Sequence, residues 1–242
     1  MHKKLLFIIL FLPGFIALGQ QAQFFDAPFG GGIGYVPAWY IPEVSPVNKF
    51  LPAGMPELST SGFYSSGIAG FIYIGFVKNL RVGGMGFGGS INSTQKINTI
   101  NREVVYSLGG GGVTFEYTLP FIKNFGVSIG TVIGAGNMEI HLYGNNAAFD
   151  WNAVWEDFSN PNLPSDSYSK LLTNSFWMIT PTLNVDYPIY RFVSLRLGVG
   201  YQITFASDWT ADNDQPLSGV PSNINSNSFF IQSGIFVGFF SY

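Results

Sequence analysis

The chain has 242 residues, of which 10% are charged, 47% hydrophobic and 17% aromatic, and its formal net charge is −3. A soluble domain carries about 25% charged residues, so this composition argues against a protein that water surrounds completely. The mildly acidic charge disfavours a nucleic-acid partner, and the absence of cysteine excludes disulfides and thiolate metal sites.

The first predicted element is a signal peptide over residues 1–19. Lys3 and Lys4 precede an apolar run, Leu5–Leu12, which small residues follow before the expected cleavage site at Gln20. The alternative is an uncleaved membrane anchor, which the shortness of the apolar run disfavours. Cleavage would change the net charge from −3 to −5, because this segment contains two lysines and no acid.

A turn motif then recurs three times, with an apolar or aromatic strand end, a basic residue and a second strand. Its basic residues are Lys78, Lys123 and Arg191. Neighbouring side chains of a strand face opposite ways, so apolar residues at every second position predict one apolar face. The segments 177–189 and 193–205 each show such a face without interruption. Outward apolar faces with small polar inward residues are typical of a membrane-spanning antiparallel barrel.

This pattern predicts an all-β fold, an eight-stranded antiparallel up-and-down transmembrane β-barrel. A ten-stranded barrel is the alternative, and it would need a further hairpin in one of the long connections. The short turns and both termini are expected on the periplasmic side. The predicted strands are Gly31–Ile41, Gly67–Val77, Leu80–Ile91, Val104–Phe121, Phe125–Leu142, Ser175–Ile189, Phe192–Phe205 and Phe229–Tyr242. The predicted outer loops are Pro42–Ser66, Asn92–Glu103, Gly144–Asn174 and Ala206–Ser228.

Aromatic residues near the predicted strand ends are expected to form two girdles, one at each membrane interface. The group near the short turns is Phe76, Phe121, Phe125, Tyr187, Tyr190 and Phe192. The group near the far ends is Trp39, Tyr106, Tyr143, Trp177, Phe205 and Phe229.

With these turns, these strands and the C-terminal strand Ile235–Tyr242, the sequence resembles the OmpA/OmpX-like family of small outer-membrane β-barrels of Gram-negative bacteria. Tyr242 and Phe240 look like the C-terminal signal that the family's barrel-assembly machinery reads. The resemblance implies an outer-membrane location among outer-membrane lipids, without the periplasmic domain of OmpA itself. It does not specify a function, because one fold carries many. The expected organisation is a signal peptide (1–19), an N-terminal periplasmic segment (20–29) and the barrel (30–242).

The charged residues expected inside the barrel are few. Each lies a few residues from a short turn, and a buried charge without a partner is costly. We therefore expect an interior ion-pair cluster near the periplasmic end, acting as a core that fills the lumen or as a gate. Its predicted members are Arg81, Glu116, Asp186 and Arg196.

The outer loops combine acidic and aromatic residues, which could bind sugars, a protein or divalent cations, or could pack without a ligand. No metal-site motif is found among them. Lys78, Lys123 and Arg191 at the turns could meet lipid headgroups or a periplasmic partner, or could be solvated. The candidate binding residues in the loops are Trp151, Trp155, Asp157, Asp208, Trp209, Asp212 and Asp214.

His141 is the one histidine outside the predicted signal peptide. Lipid A-modifying barrels use a histidine with a serine, but here Tyr143 lies two residues after the histidine, where a deacylase has its serine. We therefore expect a protein that is not an enzyme and needs no cofactor. Its expected role is structural or binding, through the loops or as a subunit of a membrane complex. A narrow small-solute pore and a lipid A-modifying enzyme are the alternatives.

Overall fold

The computed structural model describes residues 29–97, 100–122, 124–145, 150–159 and 167–241. The predicted signal peptide, most of the predicted periplasmic segment, Lys123 and Tyr242 lie outside the described residues. Among the residues described, no helix combines the length and the apolar composition that crossing a membrane requires.

The strands are β1 (Phe29–Tyr35), β2 (Ala38–Pro42), β3 (Phe63–Tyr73), β4 (Leu80–Ile97), β5 (Ile100–Thr118), β6 (Gly126–Asn145), β7 (Ser167–Tyr190), β8 (Val193–Ala211), β9 (Gln215–Pro216) and β10 (Ser228–Ser241). Two helices, α1 (Ser45–Asn48) and α2 (Trp151–Ser159), lie in the connections.

The strands close into a ring in which every pairing is antiparallel. Both β1 and β2 pair with β3 on one side and with β10 on the other, so together they form one interrupted barrel strand. β10 also pairs with β8, which closes the ring, while β9 is a short addition to β8. The described residues therefore form eight barrel strands. This confirms the predicted antiparallel barrel, and the ten-stranded alternative is wrong.

The interruption between β1 and β2 falls at Val36 and Pro37. Proline lacks an N–H group and cannot donate to a strand ladder. The neighbouring groups still bond across the gap: the Val36 amide donates to the Gly67 carbonyl at 2.8 Å, and the Ser233 amide donates to the Pro37 carbonyl at 2.9 Å. The first barrel strand is thus interrupted at the proline without opening the ring.

One end of the barrel, called the turn end here, carries the three predicted turns. The first two are longer than predicted, because β3 ends at Tyr73 and β5 at Thr118, which leaves connections 74–79 and 119–125. In the first two turns the residue after the lysine adopts a left-handed conformation, with φ of 65° at Asn79 and 74° at Asn124. Asparagine tolerates this region better than other non-glycine residues. In the third turn Tyr190 pairs with Val193, which leaves a two-residue connection.

The opposite end, called the loop end, carries connections 43–62, 98–99, 146–166 and 212–227. Its strands run further than the sequence predicted. Cross-strand pairing in β4 and β5 continues to Ile97 and Ile100, so the predicted loop Asn92–Glu103 is wrong. β7 begins at Ser167 and pairs with β6 from that residue on, so part of the predicted loop Gly144–Asn174 is also strand.

Nearer the turn end, the outward side chains form an apolar band around the barrel. Exposed members on neighbouring strands include Ile129, Ile133, Ile179, Leu183, Val199, Ile203, Ile231 and Ile235. Buried inward residues at the same height are polar, including Thr114, Ser128, Thr182, Asn184 and Ser194. A closed barrel with this distribution has the surface that a lipid bilayer requires.

Most predicted girdle aromatics lie exposed at the edges of the apolar band. Phe76, Phe121, Phe125, Tyr190 and Phe192 are exposed at the turn end, and Trp39, Trp177, Phe205 and Phe229 at the other edge. Tyr106 is wrongly predicted, because its side chain points into the barrel and is only 1% exposed. Tyr143 pairs with Ser169, further along the strands than the band extends.

Beyond the band, towards the loop end, the inward face of the barrel wall becomes apolar and the outward face becomes polar. Inward residues such as Val104, Ile140 and Phe176 are apolar and buried in one core cluster. Outward residues such as Asn137 and Glu139 are polar and hydrogen-bonded to each other at 2.6 Å. This part of the barrel has the distribution of a water-soluble domain, which indicates that it projects from the bilayer.

A matched pair of outward arginines tests where the bilayer ends. Leu183→Arg lies in the middle of the apolar band and should lower the free energy of unfolding by about 2–4 kcal/mol in lipid vesicles. Thr173→Arg, on the same strand and opposite Glu139, should change it by less than about 0.5 kcal/mol. Denaturant titrations in phosphatidylcholine vesicles measure both, and equal losses would contradict the proposed boundary.

Candidate functional site

The four predicted interior charges meet inside the barrel, near the turn end. Arg81 on β4 lies directly opposite Glu116 on β5, and Asp186 on β7 lies directly opposite Arg196 on β8. All four are buried, with exposed fractions of 5% or less. Two hairpins on different sides of the ring therefore each contribute one cross-strand pair of opposite charge. The four residues are called the charged cluster below.

Contacts across the lumen join the two pairs. Arg81 Nε donates to Glu116, and Arg81 Nη1 lies 2.6 Å from Asp186 Oδ2. Arg196 binds Asp186 through Nε at 2.6 Å and Nη2 at 3.1 Å, and its Nη1 reaches Glu116 Oε1 at 3.3 Å. Each carboxylate contacts both guanidinium groups, so two positive and two negative charges form a closed, neutral set.

Neutral polar side chains complete the hydrogen bonds of the charged cluster. Arg81 Nη2 donates to Ser128 Oγ at 2.7 Å, and Asn184 Nδ2 donates to Glu116 Oε1 at 3.0 Å. Gln232 Nε2 donates in turn to Asn184 Oδ1 at 2.6 Å. Since an unpaired buried polar group is costly, this network is what allows charges inside so narrow a barrel.

Inward glycines give these side chains room. A Cβ atom on Gly130 would lie 2.6 Å from Cγ of Glu116, and one on Gly198 would lie 2.0 Å from Oδ1 of Asn184. Larger inward residues at these two positions would displace the network. The glycine-rich inner faces of β6 and β8 therefore provide space for neighbouring side chains.

An aromatic layer fills the lumen on the loop-end side of the charged cluster. The Tyr40 ring stacks on Phe87 and Phe230, with centroid distances of 4.9 and 4.8 Å. Phe230 pairs with Gly200, four residues along β8 from Arg196. Tyr40 and Phe230 are each 1% exposed. Two successive layers of different chemistry thus occupy the interior.

Beyond the aromatic layer, the loop end contains a cavity of about 940 Å³, called the loop-end cavity here. Its volume falls in the range of about 300–1,000 Å³ that is usual for small-molecule sites. Inward residues of β5, β6 and β7 form its walls, and connections 43–62 and 212–227 contribute further lining residues. Apolar lining residues from these segments include Val47, Met55, Val104, Ile140, Leu172 and Leu217.

Arg102 brings a positive charge to the wall of this cavity. It lies two residues before the buried Val104 and therefore shares the inward face of β5. Arg102 is half-buried, and its guanidinium has no hydrogen-bond or ion-pair partner within the described part of the chain. Glu103 also borders the cavity, and its carboxylate accepts a hydrogen bond from Asn92 at 2.8 Å.

The predicted loop-binding residues do not converge on one site. Trp151 and Trp155 lie on α2, 74% and 55% exposed, with ring centroids 5.8 Å apart. Asp157 belongs to the same helix, but its side chain lies outside the described part of the structure. Asp208 is exposed on β8 and Asp214 follows that strand, with a φ of 59°.

Trp209 was predicted as a loop-binding residue, but it is 9% exposed and packs in the core cluster. It also borders the loop-end cavity, so it could contact a ligand only from inside the barrel.

Asp212 forms an ion pair with Lys170 on the neighbouring strand. The hydrogen bond from Lys170, together with one from the Leu171 amide at 3.0 Å, holds the pKa of the Asp212 carboxyl below its usual value. The same pair raises the pKa of Lys170. Because the Asp212 carboxylate already binds Lys170 and the Leu171 amide, it is a poor ligand for a metal ion. No group of three or more candidate metal ligands occurs among the described residues.

The basic residues of the turns lie on the surface. Lys78 is exposed. The Arg191 guanidinium lies over the rings of Phe192 and Phe239, at 5.6 and 5.4 Å from their centroids. These contacts hold Arg191 beside the aromatic residues that edge the apolar band.

His141 has a serine partner that the sequence did not reveal. Ser169 lies on the neighbouring strand, with Oγ 3.3 Å from His141 Nε2, and the Tyr143 hydroxyl lies 2.7 Å from Nδ1. The backbone around these residues is paired in the β6–β7 ladder, so its amides are not grouped to stabilise an oxyanion. His141 and Ser169 also lie outside the lining of the loop-end cavity.

Sequence reasoning missed the loop-end cavity, Arg102 and Ser169. A signal for the cavity exists, because Val104, Tyr106 and Leu108 keep the two-residue period of β5 on the inward face. Ser169 contacts His141 across 28 sequence positions, and only strand register brings the two residues together.

No protein-family model matches the sequence, and no curated protein matches it. Solved structures resemble the fold. Ail of Yersinia pestis, in complex with the heparin analogue sucrose octasulfate, is 11% identical with a TM-score of 0.40, covering 89% of this chain and 100% of Ail. A major outer membrane protein of Thermus thermophilus is 10% identical with a TM-score of 0.42, covering 87% and 99%. Neisserial surface protein A is 11% identical with a TM-score of 0.35, covering 86% and 96%.

A double-mutant cycle tests the mutual dependence of the interior charges. Arg81→Met and Glu116→Gln each leave an unbalanced buried charge and should each lower the free energy of unfolding by about 3–5 kcal/mol. The double variant retains the neutral Arg196–Asp186 pair, so it should lose less than the sum.

The measurement is denaturant unfolding in lipid vesicles. Lys78→Met, which removes an exposed charge, is the control and should change stability by less than about 0.5 kcal/mol. Strictly additive losses would show that Arg81 and Glu116 are not coupled.

Proposed function

We propose that this chain is a non-conducting outer-membrane barrel whose role is to bind at its outer surface, not to transport or catalyse. In this proposal a cleaved signal peptide exports the chain, barrel-assembly machinery inserts it, and the turn end faces the periplasm. The loop end then faces the outside of the cell. The apolar band, bounded by aromatic residues at both edges, supports the surrounding of outer-membrane lipid.

The observation that carries the proposal is the order of layers along the lumen. The charged cluster and the aromatic layer fill the barrel between the turn end and the loop-end cavity. The cavity therefore resembles a pocket with a closed floor more than the entrance of a channel. Buried, mutually paired charges also favour a filled core over a water-filled pore.

A second way to bind uses helix α2. Trp151, Val154, Trp155 and Phe158 lie at the helical spacing of a single face, and all are exposed. Exposed aromatic residues of this kind are enriched where proteins meet. This face supports a role as a subunit of a membrane complex with another outer-membrane protein.

Bilayer recordings test whether the lumen is closed. Purified protein in planar lipid bilayers should give no single-channel steps, and Glu116→Gln should give none while unfolding at a lower temperature. Loss of one charge weakens the core but leaves the aromatic layer in place. Steps in the unsubstituted protein would favour the small-solute pore, and steps confined to Glu116→Gln would favour a gate.

The non-enzymatic part of the proposal has its own test at His141. A His141→Ala variant expressed in cells should leave the lipid A profile unchanged by mass spectrometry. This is expected because His141 lies beyond the apolar band, away from lipid acyl chains. Ser169→Ala is the matched variant, and a shared change of lipid A in both would establish a lipid-modifying site.

A further inference from the structure

We propose that the loop-end cavity binds a free single-chain amphiphile with an anionic head group, with the chain in the cavity and the head group on Arg102. The inference rests on the proposed function, because it requires a cavity that faces outward and has a closed floor. It adds the chemical class of the ligand and the residue that recognises its charge.

The apolar walls of the cavity determine the chemical nature of the part of the ligand that lies inside it. Ile140, Leu142 and Leu172 line the cavity from three neighbouring inward positions on β6 and β7. Leu217 and Val220 line it from connection 212–227. A polar ligand would lose its hydration against these residues without regaining hydrogen bonds, whereas a hydrocarbon chain gains by leaving water.

Arg102 determines the head group. Arg102 is half-buried and lines the cavity beside these apolar residues, and no acidic side chain of the described chain forms an ion pair with it. Glu103 also borders the cavity, but it alternates with Arg102 along β5 and its carboxylate already accepts a hydrogen bond from Asn92. A carboxylate from a ligand would supply the paired hydrogen bonds that arginine forms best.

The position of the cavity determines where the ligand comes from. Its walls begin beyond Trp177, at the outer edge of the apolar band, and the outward residues there include Asn137 and Glu139. A bilayer lipid would have to cross this polar surface to enter. A free amphiphile can reach the cavity from the water around this projecting part of the barrel, and we assign the site to this source.

The probe for the test is 11-(dansylamino)undecanoic acid, whose fluorescence rises in apolar surroundings. Its primary amide is the uncharged analogue. Both are titrated at neutral pH into the full chain in phospholipid nanodiscs, with empty nanodiscs as background. A saturable rise above background is expected, and the acid should bind more tightly than the amide.

Three variants locate the site. Arg102→Gln should weaken binding of the acid about tenfold and leave the amide unchanged, since a hydrogen bond to a charged group is lost. Leu172→Trp fills the cavity and should remove binding of both probes. Lys78→Gln removes the same charge at the turn end and should bind as the unsubstituted protein does. A heat-dependent shift on gels confirms that each variant is folded.

Each contrary result overturns a defined part of the proposal. No saturable rise overturns the ligand class, and equal binding of acid and amide overturns the role of Arg102. Unchanged binding in Leu172→Trp overturns the location. Bilayer recordings on the same preparation keep these failures apart from failure of the proposed closed lumen, which conductance steps would overturn.

Discussion

The rest of this barrel depends on one constraint, the alternation of side chains between the inside and the outside of every strand. This alternation continues along the whole strand, while the surroundings of the barrel change from lipid to water. On β7, Leu183 and Ile179 face outward and Asn184 and Thr182 inward. Further along, the inward residues become Phe176 and Leu172. This reversal of the inward face, from polar beside lipid to apolar beside water, determines where the charged cluster, the apolar core and the cavity lie.

The charged cluster follows from the half that lipid surrounds. With apolar residues outside, the inward positions there are polar, and the closed lumen must satisfy them without bulk water. Buried ion pairs often add little net stability compared with an apolar core, but they penalise wrong arrangements strongly. Arg81 and Glu116 are direct cross-strand partners. A slip of either strand by one residue would turn its charge towards lipid, so the pair specifies register.

The sequence was most informative where the apolar face meets lipid. Alternation over 193–205 predicted the strands, and the positions of Asp186 and Arg196 predicted their inward charges. Prediction failed beyond the band, where β7 already begins at Ser167 and the inward residues Leu172 and Phe176 are apolar. The part of this strand up to Asn174 was interpreted as the end of a long polar loop, Gly144–Asn174. Trp209 was interpreted as exposed because it lies among acidic residues in the predicted loop Ala206–Ser228.

The loop-end cavity is the remaining consequence of the reversal. An apolar interior that projects into water must be covered, and the connections that carry Val47, Met55 and Leu217 fold over it. They leave a space lined by these same residues. Folding alone does not account for Arg102 in that space. Arg102 is half-buried beside apolar residues, and its charge gains no partner from the described chain. Because Arg102 contributes no pairing to this described part of the fold, its position is better explained by an anionic group that enters from outside.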